Sequence, residues 1–305
     1  MTDLTSPIYN NADAAREHLE LILWPEGPVC PHCGGVEKIK KLEGKSTRPG
    51  VYKCNDCRKP FTVTVGTIFE RSKIPLNKWV LAAHLMGASK KGISAHQLSR
   101  MLGFDKTYKT AWFMAMRLRE AMKPKAGAGP LGSGGGIVEA DETFWGNRKG
   151  VQQMAGGVTH KMKIVSLVER GGEKRSVVVP NVTGETLRKV LREHVSNEAR
   201  LMTDERRSYI PASEHCASHE AVSHRQGEYF RAPDITTNSV ESSFALLKRG
   251  LIGTFHHVSE EHLQRYCGEF DFRWTHRKVT DDTRSVALLR GVQGKRLMYR
   301  QPEGS

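Results

Sequence analysis

No stretch of about 18 apolar residues occurs in the 305-residue sequence, so no segment reads as a membrane-spanning helix. Nor does the N-terminus show a basic segment leading into an apolar one, the form of a secretory signal, so the protein is expected to stay in the cytoplasm where it is made. Acidic residues are outnumbered 33 to 47 by lysine and arginine, giving a formal net charge of +14. Dispersed along the chain, that excess favours an extended polyanion over an acidic small molecule as partner, although charge alone also fits a merely basic protein. There is no internal repeat. Cysteine is scarce outside two clusters: Cys30, Cys33, Cys54 and Cys57 form two C-x-x-C pairs, while Cys216 and Cys267 stand alone. This usage argues against a disulfide framework and for metal binding in a reducing compartment. Cys216 and Cys267 read as ordinary small residues.

What is present divides into modules. Asn11 to Trp24 carries Ala14, Ala15, His18, Leu19 and Ile22 at helical spacing, and Pro25-Glu26-Gly27-Pro28 ends it. The pairs Cys30-Pro31-His32-Cys33 and Cys54-Asn55-Asp56-Cys57 are twenty residues apart, a spacing that suits one tetrahedral Zn2+ held by four thiolates. Such a closed site is structural, since no position remains for water. The other reading, two redox dithiols, needs strand-to-helix contexts that are missing here. The alternation Phe61-Thr62-Val63-Thr64-Val65 completes a small β module.

Leu76 to Met122 reads as three helices, with breaks at Gly87 to Gly92 and Leu102-Gly103-Phe104. Leu76, Trp79, Val80 and Ala83 share a face of the first; Ser94-Ala95-His96-Gln97 is a capping box for the second; Tyr108, Ala111, Trp112, Ala115, Leu118 and Met122 point inward from the third. A short capped helix, a turn and a longer helix are the parts of a helix-turn-helix, with Lys106, Thr107, Lys109 and Thr110 outward toward DNA. Three helices that merely bridge two domains fit the same pattern.

The segment 123–136 is rich in Gly, Ala, Pro, Ser and Lys and reads as a flexible linker. Beyond it come three strand-like runs, Ile137 to Ala140, Lys161 to Arg170 and Arg175 to Pro180, a helix from Gly184 to Ser196, a strand from Arg200 to Thr203, and a helix around Thr237 to Arg249. Asp141 and Asp204 each follow an apolar strand, where a carboxylate serves either as a turn cap or as a metal ligand. A two-metal phosphoryl-transfer site needs carboxylates on neighbouring elements. In the last helix Val240, Phe244, Leu247 and Leu251 form an apolar face, and Asn238, Glu241, Ala245 and Lys248 an adjacent one. That second face is either simply solvated or presents Glu241 or Asn238 to metal and Lys248 to a phosphate.

The stretches CPHCGG, YKCNDCRKPFTV, GTIFERSKIPLNKW, VEADETFWGN, MTDE and TTNSVESSFALLKRGLIGTFHHVSEEHLQRYCGEFDFRW resemble insertion-sequence transposases of the DDE class, in the group that joins a zinc ribbon to an RNase H-like catalytic domain. The resemblance spans about residues 20 to 278 and implies an α/β fold with a mixed sheet flanked by helices. It implies Asp141 and Asp204 as the first two catalytic acids. Glu241 is favoured as the third, because a basic residue seven positions later, here Lys248, usually follows that acid; Asn238 stays open as a ligand or substrate contact. Asp141, Asp204 and Glu241 would then hold Mg2+, or Mn2+, for cleavage at mobile-element ends and strand transfer into target DNA. The family also implies a homodimer or higher oligomer on DNA in a bacterial cytoplasm. An inactive DNA-binding regulator and an RNase H-like nuclease are the alternatives. The expected boundaries are a helix over 1–28, the ribbon over 29–72, the helix-turn-helix over 73–122, the linker over 123–136, the catalytic domain over 137–290 and a tail over 291–305.

Overall fold

The computed structural model describes residues 3–104, 108–124, 127–152 and 157–297. The chain divides into two compact units, one of the residues up to Lys123 with those from Val279 onward, the other from Pro124 to Lys278.

In the first unit, α1 (Pro7–Asn10) and α2 (Ala12–Leu23) precede β1 (Ile39–Lys41), β2 (Tyr52–Cys54) and β3 (Pro60–Phe61), which pair antiparallel in that order. Asn11 caps α2 by accepting from the N–H groups of Asp13 and Ala14 at 2.8 and 3.1 Å. Just past the helix, Trp24 meets Tyr52 and Phe61 edge-on, with ring centroids 5.4 and 5.8 Å away. The Tyr52 hydroxyl donates to Glu20 at 3.0 Å. The leading helix and the ribbon therefore share one small aromatic core.

Three helices follow, α3 (Leu76–Ala88), α4 (Ala95–Met101) and α5 (Tyr108–Met122). Trp79, Val80 and Ala83 are buried in α3, and so are Ala82, His84, Met86 and Gly87, so this helix is enclosed on most sides. Ser94 Oγ caps α4 by accepting from Gln97 N at 3.1 Å. From α5 the side chains of Ala111, Ala115, Leu118 and Met122 are buried as their spacing requires. Trp112 is only half-buried, and Tyr108, expected inward, is exposed and stacks on His96 at 4.4 Å. As the first residue of its helix, Tyr108 overhangs the core and finds a ring on α4 instead.

The second unit is built on a five-stranded sheet of order β6-β5-β4-β7-β8. Its strands are β4 (Ile137–Trp145), β5 (Met162–Glu169), β6 (Lys174–Val179), β7 (Arg200–Asp204) and β8 (Ser218–Val222). β4, β5 and β6 pair antiparallel, whereas β4–β7 and β7–β8 are parallel. Helices α6 (Gly184–His194), α7 (Tyr209–Ala212), α8 (Asn238–Gly250) and α9 (Glu260–Thr275) complete the unit.

Alternation along β4 sends Val138 and Ala140 into the core shared with Leu187, Val190 and Leu191 of α6 and Tyr209 of α7. Glu139 and Asp141 consequently point to the opposite face, where Glu139 meets the first turn of α8. On that face α9 is fastened to the outer strand: buried Asp271 accepts from Ser176 N and Oγ at 2.7 and 2.6 Å, with Lys174 Nζ at 3.3 Å. Gln264 bonds Val178 N and Ser176 O, both at 2.8 Å, covering the free edge of β6.

Three expectations are corrected. The strand expected to stop at Ala140 continues to Trp145, because β5 goes on pairing through Asp141↔Ser166 to Trp145↔Met162 after β7 has left at Glu139. The segment read as a flexible linker is docked from Gly129 onward. Gly129 O accepts from Arg175 at 2.7 Å, Gly132 N donates to Glu169 at 2.9 Å, and buried Leu131 bridges to Val195. Its glycines serve close approach, since a Cβ on Gly132 (φ +75°) would come within 2.5 Å of Ala199.

Third, the second unit ends at Lys278 and not at residue 290, and the described part of the expected tail, residues 291–297, belongs to the first unit. Helix α10 (Asp281–Arg290) lies against α3, with Arg284 donating to Gly87 O at 3.1 Å. Ile68 N donates to Val292 O and Gly294 N to Gly66 O, at 3.2 and 2.8 Å. Hydrophobic periodicity marks α10 as amphipathic but cannot say which unit it joins. The joint is close: a Cβ on Gly291 would lie 2.2 Å from Ala121 O on α5. Gly291→Ala is therefore expected to destabilise the first unit by about 1–3 kcal/mol through overpacking, read as a lower urea midpoint. An unchanged midpoint would mean that this contact is easily relaxed.

Candidate active site and zinc centre

The four cysteines converge as their spacing predicts. Knuckles before β1 and after β2 bring all four sulfurs within 4.8 Å of one another. Cys30 and Cys57 Sγ are 3.7 Å apart, and Cys33 and Cys54 Sγ 3.6 Å. Four sulfurs at ~2.3 Å from one tetrahedral Zn2+ would be about 3.8 Å apart, so the cluster has the size of that ion. Gly34, at φ +76°, turns the chain after the first pair. The site is structural zinc, and His32 is exposed on the knuckle without entering the donor set.

The acidic residues come together in the second unit. The β4–β7 register, Ile137↔Arg200 and Glu139↔Met202, extends to place Asp141 beside Asp204 on the same face, at the point where the two parallel strands separate. Burial first, and then the negative charges of Glu142, Asp204 and Glu241, push the Asp141 carboxyl up to about 7. Glu142 N donates to Asp141 Oδ1 at 2.7 Å and opposes that rise. Glu241, in the first turn of α8, accepts from Thr237 Oγ1 at 3.0 Å and lies 3.3 Å from His224 Nε2. Asp204 Oδ1 accepts from Arg206 N at 3.1 Å.

Val240, Phe244, Leu247 and Leu251 are buried, leaving Glu241, Ala245 and Lys248 on the open side of α8 as predicted. Asn238 is exposed at the first position of that helix, one turn before Glu241. Lys248, two turns beyond Glu241 and roughly 10 Å along the axis, is exposed. Among the described residues, only the cysteines gather three or more donor atoms within 4.8 Å of one another; the carboxylates are more widely spaced. Two Mg2+ ions ~3.5–4 Å apart, with oxygens at ~2.1 Å, accept ligands spread over as much as about 8 Å. The hard carboxylate oxygens of Asp141, Asp204 and Glu241 are the donor type such ions prefer. Of the residues expected to face DNA, Lys109 is exposed and Thr110 half-buried on α5, and Lys106 and Thr107 lie outside the described residues.

Sequence reasoning missed the groups that hold these acids in place. Glu139, fully buried, accepts from Ser239 N and Val240 N at 2.7 and 3.0 Å and from Arg170 Nε at 2.7 Å. Arg170 also donates to Asp234 O and Thr236 O at 2.7 and 2.9 Å, so one ion pair fixes both the start of α8 and the loop before it. On the opposite face of β4, Glu142 pairs with Arg206 and accepts from the Tyr209 hydroxyl at 3.0 Å, clamping the turn after Asp204. Burial raises the carboxyl pKa of Glu142, and Arg206 opposes the rise. The available signal was Val138-Glu139-Ala140-Asp141-Glu142 itself: three acids in one buried strand each require a partner.

Glu139→Ala is expected to cost about 3–5 kcal/mol, because it strands Arg170 and leaves the α8 N-terminus uncapped. Glu139→Gln should cost less, since its carbonyl can still accept from the helix. Urea unfolding followed in the second unit checks both, and a loss below about 1 kcal/mol for the alanine variant would refute the anchor.

Residues 134–275 match the ISXO2-like transposase domain, and residues 10–60 the transposase zinc-ribbon domain. The second match includes α2, in keeping with the aromatic core that the helix shares with the ribbon. An uncharacterized protein in transposable element ISH50 of Halobacterium salinarum is 28% identical over 275 residues, covering 85% of this chain and 89% of that protein.

Proposed function

Since the chain belongs to the ISXO2-like transposases, we propose that it acts as a DDE-class polynucleotidyl transferase that cleaves mobile-element ends and joins them to target DNA. The observation that carries this reading is the approach of Asp141, Asp204 and Glu241 from β4, β7 and α8 on one face of the sheet, where the two central strands separate. An RNase H-like assignment of the second unit is supported by its mixed five-stranded sheet with helices on both faces.

Asp141, Asp204 and Glu241, assisted by Asn238, would hold Mg2+; Mn2+ would suit the same oxygens. When bound, the ions supply Lewis-acid polarisation of the attacking hydroxyl and the scissile phosphate. The chain's own part is placement. Glu139 and Arg170 fix Glu241 through α8, Glu142 and Arg206 fix the turn carrying Asp204, and Lys248 extends the open side of α8 toward a phosphate.

Helices α3 to α5 serve as a helix-turn-helix, with Lys109 and Thr110 at the DNA surface, and the zinc ribbon adds to the grip on the ends. The charge of +14 suits this polyanionic partner. Pairing two ends calls for a homodimer or larger assembly on DNA, in the cytoplasm of the host cell. No helix among the described residues is long and apolar enough to cross a membrane.

The test is a paired cleavage and joining assay on element-end DNA, with Mg2+ and with chelator. A transposase produces both products, only with the ion. Cleavage without joining would identify a nuclease of the same fold, and binding without either product would identify a regulator.

A further inference from the structure

Between β8 and α8 the chain forms a well-bonded loop that the proposed chemistry does not use. Glu228 N donates to Ser223 O at 3.0 Å, and Arg231 and Ile235 exchange backbone hydrogen bonds, each 2.9 Å. Thr236 Oγ1 donates to Tyr229 O at 3.0 Å, and Ile235 is sunk into a buried cluster with Met202 and Val222. This ordered loop nevertheless holds two consecutive aromatic side chains out in solvent, Tyr229 at 57% and Phe230 at 58% exposure. Neither contributes to a core, so packing does not account for them.

Their position does. The Tyr229 ring lies 5.1 Å from the His224 ring at an interplanar angle of 32°, and His224 Nε2 is 3.3 Å from Glu241. A partly stacked column thus runs from Glu241 through His224 to the surface. Arg225 and Arg231 flank it, with side chains 90% and 50% exposed; their ion pairs are long, 3.5 Å to Glu205 and 3.8 Å to Glu228, and Arg231 Nη2 also donates to Ala221 O at 2.6 Å. Exposed pairs of that kind are worth little and yield readily to a phosphate.

We infer that Tyr229 and Phe230 form a stacking platform for unpaired nucleobases, receiving the DNA strand opened beside the acidic site. The ligand class follows from the surface: rings with two open faces next to guanidinium groups suit a single strand, whose bases offer π faces and whose backbone is anionic. A duplex hides those faces within its own stack. The inference rests on the polynucleotidyl transferase reading for its strand but is measurable without catalysis.

The experiment uses the full chain in chelator and a single-stranded oligonucleotide of about 15 nucleotides carrying 2-aminopurine, alone or annealed to its complement. Wild type is expected to quench the probe in the single strand. Tyr229→Ala and Phe230→Ala should each weaken single-strand binding about 5- to 100-fold and abolish quenching, with duplex affinity changed less than about twofold. Tyr229→Trp, which keeps a flat ring, should restore both and shows that the loop still folds. Unchanged single-strand binding, or an equal loss on duplex, overturns the platform. So does a change only in oligomeric state, which would make the rings an interface between copies of this chain. Should wild type show the strand contrast yet fail to cleave either DNA with Mg2+, the platform stands and the catalytic reading falls.

Discussion

Asp141→Asn is expected to make the metal-free protein more stable at pH 8 while removing its ability to bind Mg2+. In the folded unit burial, then Glu142, Asp204 and Glu241, raise this carboxyl from 3.8 to about 7, so the folded chain holds the proton more tightly than the unfolded one. Below 3.8 both states are protonated and the group costs nothing. Stability falls as pH climbs from 3.8 to about 7, and above that the full penalty is present. At about 1.4 kcal/mol per pH unit the upper bound is about 4 kcal/mol; solvent reaching a half-buried site brings the expected gain to about 1–3 kcal/mol. Asparagine keeps an acceptor for Glu142 N and lacks the charge.

The melting transition of the second unit should therefore rise by several degrees at pH 8 and by almost nothing at pH 4. Mg2+ should raise the wild-type transition and leave the variant's where it is. A variant less stable than wild type at pH 8 would mean that Asp141 is a structural carboxylate. An ordinary turn cap or salt-bridged aspartate behaves in the reverse way, stabilising at high pH and failing in acid.

Removal of zinc should have the larger effect on folding. The ribbon strands are three, three and two residues long, and the aromatic core around them is confined to Trp24, Tyr52 and Phe61. A module that small depends on its metal, and zinc in such sites contributes about 10–16 kcal/mol of apparent binding energy at neutral pH, most of it expressed as folding. Chelation, or Cys30→Ser, is expected to bring amide exchange in β1 and β2 to unfolded rates and to weaken DNA binding. The amides of β4 and β5 should stay protected, since their hydrogen bonds lie within the second unit. Protection persisting in β1 and β2 without zinc would contradict the structural role of the ion.

How far the sequence could be read depended on the range of the interaction that decides each feature. The zinc cluster was legible because two C-x-x-C pairs set their own geometry over a few residues. So was the open face of α8, because period 3.6 in a helix is a local property, whereas the place of Asp141 beside Asp204 on one face follows only from the β4–β7 register. The docking of residues 129–136 was not, since glycine composition is the same whether a segment is loose or fitted against Ala199 and Val138. The return of α10 to the first unit was equally hidden: its partners Gly87 and Ala121 lie well over 150 positions earlier in the chain. Glu139 and Glu142 were visible as residues but not as supports. Their partners, Arg170 and the α8 amides on one side and Arg206 and Tyr209 on the other, meet only after the sheet is assembled.

The joining reaction is the most direct test of the central claim. With element-end DNA, target DNA and Mg2+, the wild-type chain should yield strands covalently joined through the element's 3′ ends, and Asp141→Asn and Asp204→Asn should yield none while binding the ends as tightly as wild type. Wild-type yields of joined product from either variant would contradict the account.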